Sequence, residues 1–228
     1  MSAGAPLSLG VFEPSGQEYI FDGAESLITI ARPGRGKSQA HVIRNLLYLE
    51  APAFVLDVKP EIHEATAAWR SDNVGPVMRF APGDPDNSEC FNPLDFVPHE
   101  PVAAYRMVQK LVPLLVTPAA GGRPTDFWEG RAAQMLSAAL FDVAVNNPLG
   151  RRDMVAVVDW FSPSPVQLED TMERLCRSDV RALERVGNQL VTMPEKVRES
   201  IFDSARRHID CWGAPELDEL VAGTTFDM

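Results

Sequence analysis

The sequence lacks any run approaching the roughly 18 consecutive apolar residues that a membrane-spanning helix needs, so no stretch of it reads as a membrane span. Its opening, MSAGAPLSLG, has neither a basic start nor a long apolar stretch, and no secretory leader is expected. Cysteine is scarce: Cys90, Cys176 and Cys211 are odd in number and show no CxxC or other close spacing. They are read as reduced thiols of a cytoplasmic protein, buried for packing rather than placed for metal or redox chemistry. Basic residues are outnumbered, 21 Lys and Arg against 32 Asp and Glu, which leaves a net charge of −11. Broad adhesion to nucleic acid needs a basic surface, so any contact with DNA is expected to be indirect or local. His41, His63, His99 and His208 show no metal-ligand spacing. There is no repeat or low-complexity tract, and the prolines fall between segments as punctuation.

What is present begins with LITIARPGRGKSQAHVIRNLLYLEAPAFVLDVKPE, Leu27 to Glu61. Ser26 to Ala31 reads as a strand entering a glycine-rich turn. Lys37 to about Glu50 reads as a helix with Val42, Ile43, Leu46, Leu47 and Leu49 on its apolar face. Ala53 to Asp57 is a short apolar run of strand length. Strand, loop, helix and strand make a βαβ unit, whose parallel strands would be covered by helices. A second helix is expected over Glu61 to Arg70, and a third strand over Val77 to Phe80.

From Pro101 the character changes. VAAYRMVQKLVPLLV and GRAAQMLSAALFDVAV are long, apolar and helical, and the second is apolar around most of its circumference, the mark of a buried helix. Ser164 to Gln167 and Thr192 to Glu195 both fit a capping box. The expected organisation is α/β in residues 1–100, all-α in 101–213, and a return segment in 214–228.

The sequence GRGKS has the parts of a phosphate-binding loop. Such a loop works because successive backbone N–H groups curl around phosphate at a helix N-terminus, while a lysine neutralises charge and a hydroxyl ligates magnesium. Ala31, Arg32, Pro33, Gly34, Arg35 and Gly36 would form the cradle, with Lys37 supplying the charge and Ser38 the magnesium ligand. Ala31 stands where the usual first glycine would be, and costs little if its φ is negative. Asp57 ends an apolar run like a Walker B acid; the alternative is that it only organises the following turn.

IARPGRGKSQAHVIRNLL, FVLDVKPE and RFAPGDPDNSECFNPLDFVP together resemble the TraG-type coupling proteins of conjugation and type IV secretion. In that family a loop like APTRxGKG is followed by DPKGE and NPLD segments, here Asp57 to Glu61 and Asn92 to Asp95. DFWEGRAAQMLSAAL, Asp126 to Leu140, is similar to the family's Phe-Trp-centred helix. Order and spacing agree over Leu27 to Leu140. The resemblance implies a RecA-like P-loop nucleotide-binding portion, with a partial parallel sheet and an inserted all-α domain. It implies an ATPase using ATP and Mg²⁺, usually a homo-hexameric ring, that feeds DNA or relaxase-type protein substrates into a secretion channel. Membrane association, at the cytoplasmic face of the inner membrane, would come through partners or segments outside these residues.

The sequence departs from the family at Val58 and Pro60, where proline and glycine are usual. No transmembrane pair precedes the loop, and no second apolar strand ending in Asp-Glu follows the helices. A Walker B acid, general base and arginine finger are therefore not assigned, and the isolated chain is expected not to hydrolyse ATP. Two rival readings stay open: a non-catalytic module that binds substrates or partners, and a small P-loop phosphotransferase.

In the helical part, Arg151, Arg152, Arg174, Arg177, Arg181, Arg185, Arg206 and Arg207 cluster loosely. Glu169, Asp170, Glu173, Asp179 and Glu184 are interleaved with them, which reads as solvated helix faces rather than a DNA-binding surface. Trp128 reads as a core anchor.

Overall fold

The computed structural model describes residues 6–116 and 127–226. Its contacts divide into two compact units, Met1–Met78 and Arg79–Met228.

The first unit opens with a hairpin. Strands β1 (Leu7–Phe12) and β2 (Gln17–Phe21) pair antiparallel, with Leu7 opposite Phe21 and Phe12 opposite Gln17, and an irregularity between Ser8 and Gly10. Two backbone bonds onto the Phe12 carbonyl, from Ser15 and Gly16, close the turn. The chain then runs without regular secondary structure to the glycine-rich loop. A π-helical stretch, Ser38–Ile43, leads directly into α1 (Arg44–Tyr48), and α2 spans Glu61–Asn73. Asn45 fastens the helix to the hairpin: its Oδ1 accepts from the Ser8 N–H at 2.7 Å and its Nδ2 donates to the Ser8 carbonyl at 3.0 Å. Arg70 of α2 donates to the carbonyls of Leu46, Leu49 and Ala51, all at 2.8 Å. A cation at these carbonyls satisfies groups that a helix end leaves unpaired.

This unit corrects the expected fold. Among the described residues the sheet consists of β1 and β2 alone and is antiparallel. The RecA-like α/β portion with a partial parallel sheet is not found, and the described chain is mostly helical. Ser26 to Ala31, Ala53 to Asp57 and Val77 to Phe80 belong to no strand and carry no regular secondary structure. An extended run becomes a strand only when a neighbour takes up its N–H and C=O groups. Without one, the apolar side chains lie open: Ile28, Ile30, Phe54 and Leu56 are all at least 84% exposed.

The second unit is helical. Glu100 caps α3 (Pro101–Leu115), accepting from the N–H groups of Val102 at 2.9 Å and Ala103 at 2.7 Å. These two bonds hold the Glu100 carboxyl below its ordinary pKa. The central helix α4 (Phe127–Asn146) packs against α3, α5 (Met154–Trp160), α7 (Arg181–Thr192) and α8 (Glu195–Arg206). Its Ala132, Leu136, Ala139, Leu140 and Ala144 are fully buried. The alternation of small and large side chains lets the neighbouring helices approach closely.

Helix α6 (Pro165–Cys176) starts with the expected capping box: Ser164 Oγ accepts from the Gln167 N–H, and the Gln167 side chain accepts from the Ser164 N–H. The box expected at Thr192 to Glu195 is absent, because Thr192 is the last residue of α7 and its hydroxyl donates back to the Asn188 carbonyl at 2.9 Å. Gly187 marks the crossing of α6 and α7, where a Cβ would stand 2.5 Å from the Cys176 amide nitrogen. No helix of the described residues is long and apolar enough to cross a membrane.

Residues 214–226 return to the start of the unit. The Phe91 N–H donates to the Leu220 carbonyl at 2.7 Å, and the Thr225 N–H to the Cys90 carbonyl at 3.2 Å. The Phe91 and Phe226 rings stack at 6.2 Å.

Candidate functional site

The loop from Ala31 to Gly36 is exposed throughout, with Lys37 and Ser38 half-buried where the helix begins. Gly34 and Gly36 have φ of +73° and +74°, a region that side chains with a Cβ enter at a cost. Apart from each glycine and its two chain neighbours, no heavy atom lies within 4 Å of where a Cβ on either would stand. The space in front of the loop is open.

Lys37 turns back over its own loop. Its Nζ donates to the Ala31 carbonyl at 2.9 Å and to the Arg32 carbonyl at 3.3 Å. The ammonium therefore bridges the entrance of the loop to the start of the helix. The first N–H groups of a helix have no intrahelical acceptor and carry the positive end of its dipole. The helix begins with a π-helical stretch, within which Ala40 N–H also makes an α-type bond back to the Gly36 carbonyl at 2.8 Å. Glycines at positive φ, a lysine folded across the loop and a helix N-terminus are the donor set that an anionic phosphate chain needs. These are the residues that could hold a phosphate group.

Asp57 sits elsewhere in the local structure. Its Oδ2 accepts from the N–H groups of Ile62 and His63, both at 2.9 Å, in the first turn of α2. Val58 and Pro60, the departures from the family pattern, lie in the turn that this carboxylate spans. The structure thus gives Asp57 a helix-capping contact and shows no contact between it and Lys37 or Ser38.

The Asn92 to Asp95 segment forms a corner in which Asn92 and Leu94 are buried and Asp95 is exposed. Asn92 Oδ1 accepts from the Leu94 N–H at 3.1 Å, while its Nδ2 reaches the Arg152 carbonyl at 2.8 Å and Asp95 Oδ1 at 3.0 Å. Leu94 is fully buried. Arg152 is buried too; it donates to His99 Nε2 at 2.9 Å and to the Val97 carbonyl. Burial pulls the Arg152 pKa down and the charge of Asp95 raises it.

Two of the eight clustered arginines therefore do not lie on plain solvated faces. The other is Arg174, whose guanidinium meets the buried Asp142 carboxylate through two bonds of 2.6 Å. Asp142 also accepts from Trp160 Nε1 at 2.9 Å and from Asn146 Nδ2 at 2.8 Å. These bonds hold the Arg174 pKa above its ordinary value against the opposing effect of burial. Sequence reasoning passed over Asp142, although a lone acid inside the apolar run LSAALFDVAV is a usable signal that a donor must meet it. Arg177 does pair with an interleaved acid, Glu173, at 2.5 Å. The expected burial of cysteine is partial: Cys90 and Cys176 are half-buried and Cys211 is exposed. The Trp128 side chain and Asp126 lie outside the described residues.

A family model described as Type IV secretory system Conjugative DNA transfer matches residues 10–228, and the chain belongs to that family. It is similar to two proteins of Escherichia coli, each called conjugal transfer protein TraG, at 29% identity over 236 residues and 30% over 237. Each comparison covers 97% of this chain and 37% of the relative, so the chain spans little more than a third of their length. No solved structure gives a significant match to this chain. The family resemblance first carried by the motifs from Leu27 to Leu140 thus extends across both units.

Proposed function

We propose that this chain is the nucleotide-binding part of a conjugative coupling protein, and that its loop at Ala31 to Ser38 holds ATP with Mg²⁺. The observation that carries the reading is the loop itself: Gly34 and Gly36, one residue apart, both stand at positive φ in an exposed turn that leads straight into the helix behind Lys37 and Ser38. In this reading Lys37 neutralises the β- and γ-phosphates, Ser38 offers its hydroxyl to magnesium, and the Ala31 to Gly36 backbone forms the cradle. Bound ATP would supply a phosphoanhydride whose hydrolysis drives movement of DNA or protein substrates into a type IV secretion or conjugation channel. The whole protein would act as a ring, hexameric by resemblance, at the inner membrane.

Binding and hydrolysis are expected to separate in the isolated chain. Asp57 is engaged at the start of α2, and no other acid is assigned to position water. Positioning groups and charges supplied in trans are worth roughly 10³–10⁵ in rate for related phosphate-hydrolysing enzymes. Titration calorimetry with ATP–Mg²⁺ tests the binding: Lys37→Ala should abolish it with the circular dichroism spectrum intact. Equal affinity in both proteins would mean that the phosphates are held elsewhere.

One observation favours a rival. The Lys37 ammonium is already satisfied by the carbonyls of Ala31 and Arg32, as it would be in a loop that stays empty while the helical unit does the binding. Absence of any calorimetric signal from the unaltered chain selects that rival.

A further inference from the structure

The second unit carries a groove of about 660 Å³ that the phosphate loop does not explain. It runs between α6 and α8. Its more buried lining is apolar: Leu168 and Met172, half-buried, come from one side, one helical turn apart, and the buried Phe202 from the other. Phe202 packs against Phe161, which also lines the groove, ring centroids 5.3 Å apart, and against Trp160 at 5.5 Å. The floor is thus a packed aromatic surface with a thioether beside it, and methionine adapts its shape to different apolar partners.

The rim has the opposite character. Glu169 lies on α6, and Glu195, Glu199 and Asp203 follow at four-residue spacing along α8. Glu195 opens α8, where the helix dipole favours a carboxylate, but Glu199 and Asp203 beyond it repel each other at a spacing that weakens a helix. None of the four carboxylates forms an ion pair among the described residues. Arg198 is the one cationic side chain lining the groove. An unpaired acidic stripe set along apolar side chains is complementary to a ligand with cations flanking an apolar anchor.

We propose that the groove between α6 and α8 docks a basic, amphipathic segment of another protein, which sets aliphatic side chains on Leu168, Met172 and Phe202 and lysines or arginines along the acidic rim. A groove of this volume accommodates a few anchoring side chains of a helix rather than a whole domain. The proposal does not rest on nucleotide binding by the loop.

Fluorescence anisotropy on the full chain tests it, with a labelled synthetic peptide carrying leucines at i, i+3, i+4 and i+7 and lysines elsewhere. Glu199→Lys with Asp203→Lys should weaken binding at least about tenfold, since both lose attraction and add repulsion. Asp86→Lys with Asp179→Lys makes the same change in net charge at exposed sites away from the groove and should leave affinity within about twofold. In methyl NMR the Met172 signal should shift on titration while the buried Met135 signal stays. Lys37→Ala should bind the peptide unchanged, so that failure here and failure of the nucleotide reading are separate results. Four outcomes overturn the proposal: equal weakening by the control pair, equal binding of a scrambled peptide with no apolar face, binding without a Met172 shift, or no binding at all. Sedimentation showing that the chain self-associates through the groove, and ceases to in the rim variant, overturns it in favour of a second copy as the occupant.

Discussion

The two units spend their apolar residues differently. In Met1–Met78 the buried hydrophobic side chains among the described residues are Ile43 and Leu46, while Ile28, Ile30, Phe54, Leu56 and Val58 face solvent. In Arg79–Met228 one continuous core runs from Leu94 through α4 to Ile209. The contrast follows from backbone chemistry. A helix satisfies its N–H and C=O groups within itself and needs only one neighbour to cover its stripe. An extended segment needs partners on its edges before its side chains can be buried. Apolar composition therefore yields a core in the second unit and open surface in much of the first.

The comparison can be broken most sharply at α4. Leu140→Ala removes a fully buried side chain at the centre of the helical core and should destabilise that unit by about 2–5 kcal/mol, measured as the shift of its urea transition by circular dichroism. A loss near zero would mean that the core is looser than the buried side chains indicate.

Asp142→Ala should cost less, about 1–3 kcal/mol. It strands Trp160 Nε1 and removes both bonds to Arg174, but Arg174 is half-exposed and can turn to water. Asp142→Asn, which keeps an acceptor for Trp160, should recover part of the loss. Equal losses for both would assign the whole effect to the ion pair.

The smallest effect is expected in the first unit. Phe54 is 97% exposed, so Phe54→Ser should change stability by no more than about 0.5 kcal/mol and should raise solubility. A loss comparable to that of Leu140→Ala would show that the ring is packed in solution and would erase the contrast between the units.

What could be read from the sequence follows the same division. The helices at Glu61, Pro101, Gly130 and Ser164 were legible because each announces itself locally, by a stripe, a proline or a capping box. The loop was legible as a turn because glycine, proline and lysine define it over six residues. Ser26 to Ala31 and Ala53 to Asp57 were misread as strands because a short apolar run looks the same whether or not partners exist. The hairpin at Leu7 to Phe21 was passed over, although Glu13 to Gly16 supplies a turn between two alternating runs. Thr192 misled because its box is correct in spelling, yet Thr192 ends α7 instead of capping α8. Asn92 and Arg152, far apart in sequence, meet only in the folded unit, and no local pattern announces such a pair.

The return of residues 220–226 to Cys90 and Phe91 has a mechanical consequence. Tension applied across Glu89 and Phe226 is carried by a short bridge: the Phe91 to Leu220 and Thr225 to Cys90 backbone bonds, the Cys90 N–H on Thr225 Oγ1, and the Thr225 hydroxyl on Glu89. While this clasp holds, the load bypasses α3 to α8, and the helical unit hangs from the chain as a slack side loop. Pulled between those two points, the molecule should give way first at the clasp, and only afterwards pay out the helices one by one.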